Sequence, residues 1–119
     1  MTGAKSPRRA TRARVLAGSP AEHGYIFPAE WRRHAGTWMS WPRPEGISFP
    51  GIYHRAIADV ARVAGAISDF EPVFVNVPNT NYERIVRATL SAAGVRMSRV
   101  RFHHIPTNEC WVRDHGPAF

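Results

Sequence analysis

Val73-Phe74-Val75-Asn76-Val77 is five residues long, β-branched at three positions, and preceded by Pro72 and followed by Pro78. A short apolar run of this kind reads as a strand, because β-branched and aromatic side chains fit a pleated surface. The run is apolar on nearly both faces, the pattern of a strand covered on each side. On its N-terminal side Ile57, Val60, Ala61, Ala64 and Ile67 recur at helical spacing, so the sequence predicts one apolar-striped helix over Ile52 to Ser68. On its C-terminal side Thr80 and Glu83 have the spacing of a capping box. Tyr82, Ile85, Val86 and Leu90 continue a second helix, and Gly94 stands where a C-terminal cap belongs.

Outside these helices lie two further strands. Thr37-Trp38-Met39-Ser40-Trp41 is aromatic and stopped by Pro42, and Val100 to Ile105 is the third strand. Pro42, Pro44, Gly46 and Pro50 make the stretch after the first strand a loop. Ala118-Phe119 has the look of a fourth strand that has barely begun. Strands alternating with helices of about fifteen residues define the α/β class. A strand cut after two residues leaves backbone groups unpaired, so the chain is expected to be incomplete at this end.

The chain has 119 residues, room for one domain at most. Its charge of +7 is unevenly placed. Lys5, Arg8, Arg9, Arg12 and Arg14 carry five positive charges with no acid among them, and the other 105 residues hold 11 basic and 9 acidic groups. The basic character therefore belongs to a tail, and residues 1–24, with almost nothing to bury, are expected to be disordered. A small basic nucleic-acid-binding module would spread its cations over the folded part, so the charge placement argues against nucleic acid as a partner. No apolar run reaches the roughly 18 residues of a membrane span. The single cysteine, Cys110, excludes an internal disulfide and a multi-cysteine zinc framework, and suits a reducing compartment.

Chemistry concentrates near the C-terminus, in Asn108-Glu109-Cys110-Trp111-Val112-Arg113-Asp114-His115-Gly116-Pro117. An ionised carboxylate accepts two parallel N–H bonds from a guanidinium, and an aromatic face attracts the same flat cation. Asp114 and Trp111 are thus candidate ligands for a planar cation, set against the commoner fates of a turn-capping Asp and a core Trp. Arg113, if the stretch is extended, alternates to the face opposite Asp114 and is structural. His103, His104, His115 and Cys110 fit no zinc spacing, and adjacent histidines on a strand point to opposite faces. A thiolate nucleophile at Cys110 would need a base such as His103 or His115, whereas a lone cysteine is more often a small buried apolar residue. Upstream, Trp31, Trp38 and Trp41 fall within eleven residues and make either an apolar plug or an aromatic wall.

Two segments resemble the agmatine deiminase family, which includes the bacterial peptidyl-arginine deiminases. Pro28-Ala29-Glu30-Trp31, His34 and Thr37-Trp38-Met39-Ser40-Trp41-Pro42 resemble its opening motif. Thr107 to Pro117 resembles its second motif, with Glu109 where Asp is usual. The resemblance covers residues 25–119. It implies the N-terminal part of a pentein fold, a five-bladed α/β propeller with its site on the central axis. It also implies hydrolysis of a small guanidino substrate, agmatine to N-carbamoylputrescine and ammonia within polyamine synthesis, or protein arginine to citrulline. By the same resemblance Asp114 is the catalytic carboxylate that binds the guanidinium, Trp111 lines the pocket, and no metal or organic cofactor is needed. The family's nucleophilic cysteine and its histidine come from segments beyond those matched here, and Cys110 does not stand at the nucleophile's position. A cytoplasmic enzyme, inactive as these 119 residues alone, is the expectation.

Overall fold

The computed structural model describes residues 15–115. Three strands and three helices alternate: β1 (Thr37–Ser40), α1 (Tyr53–Ser68), β2 (Val73–Val77), α2 (Thr80–Ala92), β3 (Val100–His104) and the single-turn α3 (Val112–His115). The expected α/β class holds. The five-bladed propeller is larger than anything this sheet displays. The fourth strand at Ala118-Phe119 and the basic residues of 1–14 lie outside the described residues.

All three strands run parallel, in the order β1-β2-β3. Val75 of β2 stands opposite Met39 on one side and Phe102 on the other. Beyond Ser40 the chain makes one more bond to the sheet, from the Trp41 amide to the Asn76 carbonyl at 3.0 Å. A parallel neighbour can only be reached by a long crossover, here α1 and then α2. Both crossovers step the same way along the sheet, so a common handedness puts both helices on one face. Accordingly Ala61 and Ala64 of α1, Val86 and Leu90 of α2, and Val73, Val75, Val77 and Val100 of the sheet form one buried cluster. Truncating a fully buried leucine such as Leu90 typically costs about 2–5 kcal/mol, which sets the scale of what this cluster contributes.

The expectation of cover on both sides of β2 needs correction. Among the described residues the helices cover one face only. The other face carries two rows, Trp38–Phe74–Arg101 and Ser40–Asn76–His103. Its rings touch one another, with Trp38 centred 5.0 Å from Phe74 and 4.7 Å from His103.

Helix α2 starts one residue earlier in its capping logic than the sequence suggests. Asn79 is the N-cap and its side chain accepts the Tyr82 amide at 3.1 Å. Glu83 is therefore free of capping duty and binds Arg87 and His104. Ile85 faces solvent, so the buried stripe of α2 is narrower than expected. Its other end follows the sequence: Gly94 takes φ +75°, its amide donates to Ser91 O, and the Val95 amide donates to Leu90 O. That paired closure needs a left-handed residue, which glycine adopts without steric cost.

Residues 15–24, expected to be disordered, contain a 3₁₀ turn over Pro20–His23. The Ser19 amide donates to the Glu22 carboxylate at 2.8 Å, and Gly24 closes the turn at φ +79°. A proline at the start and a glycine at the end suffice for a local turn that buries nothing.

The segment leading into β1 is fastened by His34. Its Nε2 lies 2.8 Å from the Glu30 carbonyl and its Nδ1 lies 3.3 Å from the Glu71 carboxylate. Thr37 also donates its hydroxyl to Glu71. Both oxygens facing the ring are acceptors only, so the doubly protonated imidazolium satisfies both at once. Gly36 follows because a Cβ there would fall 2.7 Å from the Pro72 carbonyl oxygen. The Glu30 carbonyl first, and then Glu71, raise the pKa of His34. Thr37 first, and then His34, lower that of Glu71. The histidine's contribution is complete below the ordinary imidazole range and is lost as pH rises through the raised value. Glu71's is present above the ordinary carboxylate value and is lost as pH falls through the lowered one. An NMR titration of the His34 ring should give a midpoint above that of histidine in an unstructured peptide, and Glu71→Gln should bring it down.

Candidate functional site

Every strand of a parallel sheet ends at the same edge, and the loops that follow meet there. The loop after β1, residues 41–52, and the loop after β3, residues 105–111, are neighbours at that edge although about sixty residues apart in sequence. The first loop is also tied down from below. The Tyr53 hydroxyl donates to the Pro42 carbonyl at 3.2 Å, and the Tyr82 hydroxyl donates to Glu45 at 2.8 Å. Arg43 lies over the Tyr82 ring and reaches the Thr107 carbonyl at 3.4 Å.

Glu109 and Trp111 make the principal junction. The Glu109 carboxylate accepts the Ile47 amide at 3.0 Å and the Ser48 hydroxyl. The Trp111 indole N–H donates to Ser48 Oγ at 2.9 Å, and its ring lies 5.8 Å from that of Phe49. These bonds, with the Ser48 hydroxyl first and the Ile47 amide second, hold the Glu109 carboxyl below the usual carboxylate range. The Glu109 side chain thereby spans the two loops.

Trp111 is half exposed and lines a cavity of about 610 Å³ between the edge of β1 and helix α1, with Met39, Phe49, Val60 and Cys110. Arg55 and Asp59 of α1 supply its charged groups. Asp114 does not line this cavity. It sits on α3 with its amide donating to the Trp111 carbonyl at 3.0 Å, and its carboxylate is exposed to solvent. The structure thus places Trp111 and Asp114 three residues apart on one turn without bringing them into one enclosed pocket.

Helix α3 also corrects the extended reading of Arg113. Successive helical residues are not on opposite faces. Arg113 instead turns outward to Glu30, 2.8 Å away, in a pair exposed on both sides and worth little, about 0–1 kcal/mol. Gly116 and Pro117, which close the second motif, lie outside the described residues, as does the side chain of His115.

The histidine pair separates as strand geometry requires. His103 packs with Trp38 and Phe74 on the helix-free face, whereas His104 bonds Glu83 of α2 at 2.7 Å. The three clustered tryptophans divide as well: Trp41 is buried at 4% exposure, Trp38 belongs to the sheet's ring face, and Trp31 is exposed. No motif pointed to Ser48 or to Asn76. Asn76 is 8% exposed and donates to Ser40 Oγ at 3.2 Å, while its carbonyl oxygen and His103 Nε2 are buried without a partner among the described residues. The polar residue interrupting an apolar strand was the available signal.

The chain is thus a parallel α/β unit whose two strand-end loops are bonded together, with an indole and a carboxylate on the turn that follows. Residues 26–119 match the family model of the Porphyromonas-type peptidyl-arginine deiminases, and the chain belongs to that family. It is similar to the agmatine deiminase of Ectopseudomonas mendocina, 41% identical over 106 residues, covering 88% of this chain and 27% of that protein. It is also 37% identical over 107 residues to a putative agmatine deiminase of Shewanella sp. strain MR-4, and 37% over 108 residues to that of Shewanella frigidimarina. These cover 89% of this chain and 26% of each relative. The chain therefore spans about a quarter of the length of the curated relatives it matches.

Cys110 is partly buried against this cavity, and burial pushes its thiol pKa up, with the neighbouring Glu109 charge adding to the effect. A raised thiol holds less thiolate at neutral pH, the opposite of what a nucleophile needs. Alkylation of Cys110 by iodoacetamide should be slower than that of a free cysteine peptide at pH 7, with its pH midpoint displaced upward.

Proposed function

We propose that residues 25–119 are the N-terminal part of a guanidine iminohydrolase acting on agmatine, in which Asp114 grips the guanidinium and Trp111 walls its pocket. The observation that carries the proposal is the second motif, Asn108 to Pro117, held against the loop after β1 by Glu109 and Trp111. The names of the relatives favour agmatine. The family's name favours arginine within a protein, and the two readings differ only in what extends beyond the guanidino group.

The chemistry asked of these residues is binding and orientation. A carboxylate accepts two N–H groups of the fork-shaped cation and fixes the plane of its central carbon. An indole beside it excludes water and attracts the cation's face. In the reaction proposed, a thiolate from a segment beyond those matched here adds to that carbon, and ammonia leaves after taking up a proton. Water then cleaves the carbon–sulfur bond to give the ureido product and restore the thiol. No metal or organic cofactor enters these steps. A cytoplasmic setting is part of the same proposal, and one cysteine without a disulfide framework supports it.

Two assays test this reading. Incubated with agmatine, the 119-residue chain should release no ammonia. In the longer polypeptide, Asp114→Asn should lower kcat/KM for agmatine by roughly 10- to 100-fold, the value of a charge-assisted bond. Ammonia release by the short chain would contradict the assignment of the nucleophile to another segment. An unchanged kcat/KM in the Asp114→Asn protein would remove Asp114 from the site.

A further inference from the structure

We propose that Ser48 is a positioning residue, a hydrogen-bond relay that takes its orientation from Glu109 and passes it to the indole of Trp111. The inference rests on the reading of Trp111 as a wall of the guanidino pocket. The donors and acceptors allow a single arrangement. An ionised carboxylate only accepts, so the Ser48 hydroxyl proton points to Glu109. An indole N–H only donates, so it takes a lone pair on Ser48 Oγ, at 2.9 Å. The Ile47 amide, 3.0 Å from the other Glu109 oxygen, keeps the carboxylate from turning away.

The relay has a mechanical consequence. Trp111 is half exposed, and its ring lies 5.8 Å from that of Phe49. An indole edge bonded to a serine whose own hydroxyl is committed elsewhere loses rotation about both side-chain torsions. The ring plane is then set before a substrate arrives, which reduces the ordering that binding must supply. The relay also couples the two loops, since Ser48 belongs to the loop after β1 and both its partners belong to the loop after β3. Glu109 reaches Ser48 and Ile47 together, with one carboxylate oxygen to each.

The test is a double-mutant cycle with two readouts. Indole N–H exchange of Trp111, followed by NMR with Trp31, Trp38 and Trp41 as internal references, reads the relay directly. The KM for agmatine of the longer protein reads its use. Ser48→Ala should speed Trp111 indole exchange by about tenfold or more and raise KM by roughly 2- to 10-fold with kcat less affected. Ser48→Thr, which keeps the hydroxyl, should restore both. Trp111→Phe should raise KM alone, and adding Ser48→Ala to it should raise it no further. Unchanged indole exchange in Ser48→Ala, or KM effects that multiply in the double variant, would overturn the relay. If the longer protein hydrolyses no guanidine at all, the functional reading falls by itself, and the exchange measurement still decides whether the relay exists.

Discussion

Parallel pairing on both sides of β2 is the constraint from which the rest follows. A parallel neighbour cannot be reached by a tight turn, so each connection must carry the chain back along the sheet, and a helix is the compact way to do it. With strand order β1-β2-β3 both helices fall on one face and meet the valines of β2 in a single cluster. The same constraint sends every strand end to one edge. Residues near 45 and near 110 become neighbours there because the sheet delivers them to the same place.

What happens at that edge is electrostatic and local. A carboxylate placed between a backbone amide and a serine hydroxyl ties one loop to the other, and the serine in turn holds an indole. The same edge is braced by Tyr53 and Tyr82, which reach up from α1 and α2 to the loop after β1. The site is therefore rigid where it meets the sheet and open where Asp114 faces solvent. The helix-free face adds a second asymmetry, since it holds a ring cluster and two buried polar atoms without partners among the described residues.

Much of this was legible in the sequence, for identifiable reasons. The run of β2 is apolar at four of its five positions, and the alanine-rich stripe of α1 has one period only, so both were readable from local pattern. Gly94 was readable because a left-handed cap leaves few choices. The misreadings share a cause, which is that local rules allow several solutions and tertiary packing selects one. Thr80 and Glu83 have capping-box spacing, yet Asn79 one residue earlier caps better and Glu83 is drawn to Arg87 and His104. Ile85 fits a helical stripe on paper, but the sheet is three strands wide and leaves that side uncovered. Arg113 and Asp114 read as extended because four residues are too few to show a helical period. Ser48 was invisible, since a serine in a proline-rich loop announces nothing until Trp111 is brought to it across sixty residues.

The central claim is that the carboxylate of Asp114 holds a guanidinium carbon in place. The most direct measurement is a crystal structure of the longer polypeptide with agmatine bound and its reactive thiol removed. The account predicts both Asp114 oxygens within about 2.7–3.2 Å of two guanidinium nitrogens, with the Trp111 ring beside the cation. A guanidinium bound elsewhere, with Asp114 still facing solvent, would contradict it.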